Sequence, residues 1–292
     1  MYYYVVVGIA LALYVTLTLS LNIITGYGGQ PTLGHAAFLG VGAYTAAMLM
    51  TRAGVSWWLT FPAAFLTAAL LGLVVGGASL RVREDFLAIT TMGVGFVVVA
   101  VFQYTPWFGG VMGIGGLVPP PGVDKVALLL IATGLAAFTA LVSWWLERSW
   151  AGIALRALRD DEAAAEAMGA DTRRFKLLAF VIGTGLAGLA GPIYAVHLGF
   201  VSGPDFGFHF SITLLTMAVF GGLGTIRGAV AGAVILGLAP EVFRFISDYR
   251  NLVYGGLLIL MMLIRPTGLL GVTSLRLPGL PGRKGGISRA AP

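Results

Sequence analysis

The sequence predicts an all-α fold: a polytopic bundle of transmembrane helices, some of them re-entrant or broken at glycine-rich stretches. Three observations lead there. Only 10% of the 292 residues are charged and 58% are hydrophobic, whereas a soluble domain carries about 25% charged residues. Apolar runs such as 2–24 and 86–108 contain no charged residue, and ~20 residues of helix suffice to cross the hydrocarbon core of a bilayer. Finally, glycines gather inside apolar sequence at 26–42 and 221–232, where an unbroken helix would not want them.

The spans must be helices, because backbone groups in lipid have to be satisfied internally and no alternating barrel pattern occurs. Six stretches read as full crossings: 2–24, 28–50, 57–80, 86–107, 126–146 and 177–197. With no basic n-region of a cleavable signal ahead of it, 2–24 reads as a retained span with Tyr2, Tyr3 and Tyr4 at the interface. Segment 209–239 is too long for one straight helix, and Gly221, Gly222 and Gly224 interrupt it. Segment 252–264 is short unless its helix begins near Glu241.

Loop charge orients the spans. Arg81 and Arg83 mark one cytoplasmic turn, and 147–176 carries Arg148, Arg156, Arg159, Arg173, Arg174 and Lys176. Between them 109–123 has no Lys or Arg, as an external loop should. The tail, with Arg276, Arg283, Lys284 and Arg289, belongs to the cytoplasm. If 177–197 leaves the cytoplasm and 252–264 returns to it, then 209–239 enters and leaves on one side. It is expected to be a re-entrant pair of half-helices of ~15 residues and ~22 Å each. Counting backward puts the N-terminus outside, although weak charge there leaves 28–50 free to be re-entrant too. Residues 1–272 form one transmembrane domain on this reading. Residues 273–292, with Pro and Gly throughout, form a basic disordered tail suited to anionic lipid.

Several functions are disfavoured. Without cysteine there is no disulfide, thiolate nucleophile or thiolate metal site. The basic pI of about 9.8 reflects loop topology rather than nucleic-acid binding. Glu84, Asp85, Asp124, Glu147 and the acids within 160–171 sit in loops or at helix ends, which argues against an ion-coupled carrier. No catalytic cluster occurs, and His35 has no second metal ligand nearby. None of Lys125, Lys176 and Lys284 ends a phosphate-cradling Gly-x-x-x-x-Gly-Lys-Ser/Thr loop. ATP-driven transport would therefore use an ATPase on another chain.

The most informative stretch is 147–176. Asp160 or Asp161 can cap a helix through Glu162, Ala163, Ala164, Ala165, Glu166, Ala167 and Met168, with Gly169 as its stop. Asp171 or Thr172 then caps the helix that enters the membrane at 175–178. A short helix with a small-residue face suits a groove on a soluble partner. Ala163, Ala164 and Ala167 would let a partner's backbone approach, with Arg156, Arg159, Asp160 and Glu166 as a polar rim. On physics alone an ordinary helical loop fits equally well.

The string Arg156-Ala-Leu-Arg-Asp-Asp-Glu-Ala-Ala-Ala-Glu-Ala-Met-Gly169, leading into Lys176-Leu-Leu-Ala-Phe-Val, resembles the branched-chain amino-acid permease family of ATP-binding-cassette transporters, in particular its LivM-type subunits. Within it, Ala163-Ala-Ala and Gly169 resemble the coupling loop that docks on the ATPase. Three further stretches are similar to family signatures, in the family's order. They are Asn22-Ile-Ile-Thr-Gly-Tyr-Gly-Gly-Gln30 with Leu33-Gly-His-Ala-Ala-Phe38 and Gly40-Val-Gly-Ala-Tyr44; Phe220-Gly-Gly-Leu-Gly-Thr-Ile-Arg-Gly-Ala229; and Ile264-Arg-Pro-Thr-Gly-Leu-Leu-Gly271.

The resemblance implies the permease subunit of an importer for branched-chain or related small amino acids in a bacterial or archaeal inner membrane. It also implies a LivH-type second permease, two ATPase subunits holding the ATP and Mg, and a periplasmic substrate-binding protein. The alternatives are a urea or short-chain amide importer and, further off, an ATP-independent channel or carrier. The coupling residues it implies are Arg156, Arg159, Asp160, Glu162, Ala163, Ala164, Ala167 and Gly169.

Broken helices expose backbone groups and helix ends that can meet an amino acid's carboxylate and ammonium. Asn22, Gly26, Gln30, Gly34, His35, Gly221, Gly222 and Gly224 are therefore pathway candidates. For His35, a hydrogen bond holding the broken helix outweighs pathway lining. For Arg227, snorkelling outweighs meeting a substrate carboxylate. The rows Gly72/Gly76 and Gly224/Gly228/Gly232 favour helix packing within the chain over a contact between permeases. Loop 109–123 is a connector, or a rim where the binding protein docks.

Overall fold

A computed structural model describes residues 2–79 and 84–242, together with 255, 256, 259, 263 and 268–270. The expected span 252–264, the tail 273–292 and Arg81 and Arg83 lie wholly or largely outside the described residues.

The chain is a multi-pass helical bundle. Among the described residues, five helical stretches are long and apolar enough to cross a membrane: Tyr2–Tyr27, Trp57–Ala78, Phe86–Tyr104, Lys125–Arg148 and Thr172–Leu198. The first is α1 (Tyr2–Leu21), which continues as a π-helical turn, Asn22–Tyr27. α2 (His35–Thr51), α3 (Trp57–Ser79), α4 (Glu84–Tyr104) and α5 (Lys125–Arg148) follow. Leu66, Leu70 and Val74 on α3 and Leu130 and Leu141 on α5 are exposed. Apolar surface of that extent belongs in lipid.

Two expected crossings are corrected. Residues 28–50 do not form one helix: 28–34 is non-helical, and α2 starts only at His35. Gly29 adopts a left-handed backbone and Pro31 has no N–H to donate, so the helical ladder cannot pass through. The crossing expected at 177–197 begins earlier, at Thr172, and is broken after Ala190 into α8 (Thr172–Leu189) and α9 (Gly191–Leu198). Pro192 is tolerated there because it falls in the first turn of α9.

Between α5 and α8 the polar segment forms two helices where the sequence suggested one, α6 (Trp150–Asp160) and α7 (Glu162–Ala167). α6 is amphipathic, with Ala154, Leu155 and Leu158 buried. Its start is capped by Ser149, whose hydroxyl accepts from Gly152 N at 3.2 Å. The expected half-helices around 221–224 are α10 (Phe208–Gly221) and α11 (Ile226–Val242), of 14 and 17 residues. At 1.5 Å per residue α10 spans ~21 Å, short of a ~30 Å core; Val242 is where the described part of α11 stops.

α1 is central and packs on α5, α8, α10 and α11, while α3 runs along α8 and α2 lies against α3, α8 and α9. Leu17, Leu21 and Ile24 fill the centre, and Phe38 meets Phe180 edge-on at 5.9 Å. Both small-residue rows pack within the chain. A Cβ at Gly76 would meet Leu177 and Phe180 of α8, and one at Gly228 would stand 2.6 Å from the Gly221 carbonyl of α10. In the 109–123 loop, β1 (Ile114–Gly115) pairs antiparallel with β2 (Phe200–Val201). This ties the loop to the exit of α9.

Candidate functional site

The glycine-rich segments meet each other. Asn22 stands where α1 passes into the π turn and is fully buried. Its Oδ1 accepts from the backbone N–H of Gly224 at 2.8 Å, and its Nδ2 donates to the Thr225 carbonyl at 3.4 Å. The approach requires glycine on both sides. A Cβ at Gly26 would lie 2.6 Å from Gly224 N, and Gly224 has φ +82°, a region costly for other residues.

The helix ends at this junction are closed by the chain's own groups. Thr225 Oγ1 caps α11 by accepting from Gly228 N at 3.1 Å. The Phe220 and Gly221 carbonyls, orphaned at the end of α10, accept from Leu269 N and Leu270 N at 2.9 Å each. Gly222 carries the turn, and Gly268 lies against it. At the other end of the first glycine-rich segment, Leu33 N donates to Thr91 Oγ1 and Ala36 N to Ser211 Oγ, both at 3.1 Å. Gly34 lies so close to the Thr91 carbonyl that a side chain could not fit.

His35 is fully buried, with Nε2 2.8 Å from Ser20 Oγ. The Ser20 hydroxyl donates to the Leu17 carbonyl, so Nε2–H is the donor in the His35 bond. The hydrogen bond ties the start of α2 to α1, the role the sequence favoured. In this conformation the helix ends offered to a substrate by the sequence reading are thus occupied. Thr91, Ser211 and Thr225 share that work with Leu269 and Leu270 while Ser20 holds His35, and sequence reasoning missed all four hydroxyl side chains. Their one signal is that each is a small hydroxyl in an apolar run.

The coupling-type segment reaches the same junction. Arg159, at the end of α6, donates through Nη1 to the Gly26 carbonyl at 2.5 Å. Its stem passes Gly29, where a Cβ would be 3.1 Å from Arg159 Cγ. Arg159 is exposed, yet its guanidinium reaches back to the Gly26 carbonyl rather than standing free in the rim. Glu162 also faces inward, bonding the Lys176 ammonium at 2.7 Å. The Lys176 carbonyl accepts from Gln30 Nε2 at 3.0 Å, and the Gln30 carbonyl from Thr25 Oγ1 at 3.0 Å. A polar chain therefore runs from α7 to the π turn.

Other members of the segment face outward. Ala163, Ala164 and Ala167 are exposed, as are Asp160 and Glu166, and Gly169 ends the turn with φ +88°. Arg156 pairs with Glu147 at 3.5 Å. The cap of α7 is Asp161 rather than Asp160, accepting from Ala164 N at 3.0 Å. Asp171, rather than Thr172, caps α8 through Arg174 N at 3.2 Å. Between α6 and α7 lies a groove of about 370 Å³ lined by Trp150, Ile153, Ala157, Ala164 and Met168. Met168 is 90% exposed. The apolar rim of Trp150, Ile153 and Met168 was not foreseen, because α6 was not recognised as a separate amphipathic helix.

Arg227 is exposed and lines a second cavity, of about 710 Å³, with Trp144, Arg148 and Arg156. Thr225 and Leu270 of the glycine junction line the same cavity. Among the described residues no group of three or more His, Cys, Asp or Glu side chains could hold a metal.

A lipid-embedded helical bundle with broken helices joined to a polar, amphipathic loop is the architecture of a membrane permease. Comparison with known proteins narrows this class. The family model for the branched-chain amino acid transport system permease component matches residues 4–262. The permease LivM of Escherichia coli K12 is 35% identical over 295 residues, covering 89% of this chain and 68% of that protein. BraD of Pseudomonas aeruginosa is 37% identical over 147 residues, 49% of this chain and 47% of BraD. A protein described as a probable LivH permease of Methanocaldococcus jannaschii is 25% identical over 271 residues, 83% of each chain. No solved structure matches the chain. The chain belongs to the branched-chain amino acid permease family of ATP-binding-cassette importers.

Proposed function

We propose that this chain is the LivM-type permease of an ATP-driven importer, carrying branched-chain or related small amino acids inward. It pairs with a LivH-type permease, two ATPase subunits that bind ATP and Mg, and a periplasmic binding protein that selects the substrate. Segment 147–176 and the C-terminal tail face the cytoplasm, and residues 1–272 act as one permease domain. Asn22, Gly26, Gln30, Gly34, His35, Gly221, Gly222 and Gly224 belong to the region whose rearrangement opens the pathway. Asp160, Ala163, Ala164, Ala167 and Gly169 belong to the ATPase-facing surface.

The observation that carries this reading is the placement of the 156–169 segment. It offers a groove and a small-residue face outward, while Arg159 and Glu162 hold it to the glycine-rich breaks. A loop that merely connected two spans would need neither feature.

Reconstitution with the partner chains tests the proposal. Leucine uptake into liposomes should require ATP and the binding protein. Uptake of urea or acetamide instead would move the substrate class, and uptake of leucine by this chain alone without ATP would make it a channel or carrier. Within the complex, Ala164→Trp fills the α6–α7 groove. It should leave the chain in the membrane and cut ATP-driven uptake by about tenfold or more, as loss of ~1.4 kcal/mol of docking would. Unchanged uptake by that variant would remove the docking role from this face.

A further inference from the structure

We infer that Arg159 is the positioning residue through which movement of the ATPase-facing segment reaches both broken helices. The inference rests on the proposed ATP-driven function and adds the residue that connects its two halves.

Arg159 lies at the C-terminal end of α6, one residue before Asp160 and two before the Asp161 cap of α7. Any displacement of the α6–α7 unit therefore moves it directly. Its Nη1 bonds the Gly26 carbonyl at 2.5 Å. Gly26 lies in the π turn, directly against the second break, where a Cβ on Gly224 would stand 2.6 Å from the same Nη1 and 3.2 Å from the Gly26 oxygen. One guanidinium thus touches the point at which both interrupted helices meet, and Asn22 locks the two breaks together beside it.

The chemistry favours a transmitting role over a docking one. A charged donor to a carbonyl makes a stronger bond than a neutral pair. The π turn has a displaced hydrogen-bond register, so its geometry can change by re-registering rather than by breaking a regular helix. The Glu162–Lys176–Gln30 chain supplies a second tether to the same segment, but it reaches only the first break. Arg159 is the link shared by both.

The test uses the full complex in liposomes, comparing leucine taken up per ATP hydrolysed. Arg159→Gln, too short and uncharged, should still co-purify with the ATPase subunits and hydrolyse ATP. Its uptake per ATP should fall by about tenfold or more, the factor carried by one charge-assisted hydrogen bond. Arg159→Lys keeps a long stem and one donor and should recover most of the loss. An unchanged ratio in Arg159→Gln overturns the inference. So does loss of ATPase co-purification in Arg159→Gln, which would place Arg159 in the docking surface. If Arg159→Gln fails to fold, Arg159→Met, which keeps the stem without a donor, decides: a fall in uptake per ATP with the ATPase subunits still bound supports transmission, and an unchanged ratio or lost ATPase binding refutes it. A wild-type complex without ATP-driven uptake would instead refute the proposed function itself.

Discussion

At the first break, α1 unwinds through Asn22–Tyr27, and side chains hold the chain in place. Asn22, Thr25 and Gln30 supply bonds from within, and Arg159 supplies one from the polar segment. At the second break, between α10 and α11, main-chain bonds take a larger share. Leu269 and Leu270 close the end of α10 with backbone N–H groups, beside the side chains of Thr225, which caps α11, and of Asn22, which reaches across from the first break. Neighbouring segments can adjust a break held by side chains, because each bond depends on where its owner's helix sits. A break in which main-chain pairing takes the larger share depends less on any neighbour's position. The first break is therefore suited to receive a signal and the second to turn about.

The largest effect should come from disturbing the contact between the two. Gly26→Val would drive a branched side chain into Asn22 and Gly224. Overpacking of this kind costs about 1–3 kcal/mol, and the separated Asn22–Gly224 bond adds to it. Thermal unfolding of the purified protein in detergent should show a clear drop in melting temperature, and a melting temperature equal to wild type would mean the breaks are not mutually braced.

Asn22→Ala should come next. It leaves the Gly224 N–H without its partner, a loss of about 1–3 kcal/mol. The same melting experiment, combined with uptake, separates bracing from transport. If the first break is the adjustable one, uptake should suffer more than stability alone accounts for.

Thr225→Val should be the mildest. It removes the α11 cap at a cost of about 1 kcal/mol, while the Leu269 and Leu270 bonds remain to hold the pivot. If Thr225→Val proves more damaging than Asn22→Ala, the assignment of signal and pivot is reversed.

Much of this molecule was legible in the residues. Sparse charge and long apolar runs gave the membrane bundle, and Gly221–Gly224 gave the paired short helices. Asp161, Gly169 and Asp171 marked helix ends within a few positions of where they fall, because caps depend on neighbours two or three residues away. The failures have the same origin in reverse. The glycines of 26–42 marked a break near 28–34 but not its bounds, and the apolar run that follows led the expected crossing to start at 28 rather than at His35. The bond from Arg159 to Gly26 was not legible, because nothing within ten residues reveals that carbonyl.

By itself, then, the sequence determined what local chemistry determines: which stretches enter lipid, where helices start and stop, and which motifs mark the family. The tertiary structure alone decided the partners. Asn22 and Gly224 lie far apart in the sequence, and so do Arg159 and Gly26, Lys176 and Gln30. Composition cannot specify such pairings, because a buried polar group can accept any suitable donor, and only the packing of α1, α6, α8, α10 and α11 brings one particular donor within reach.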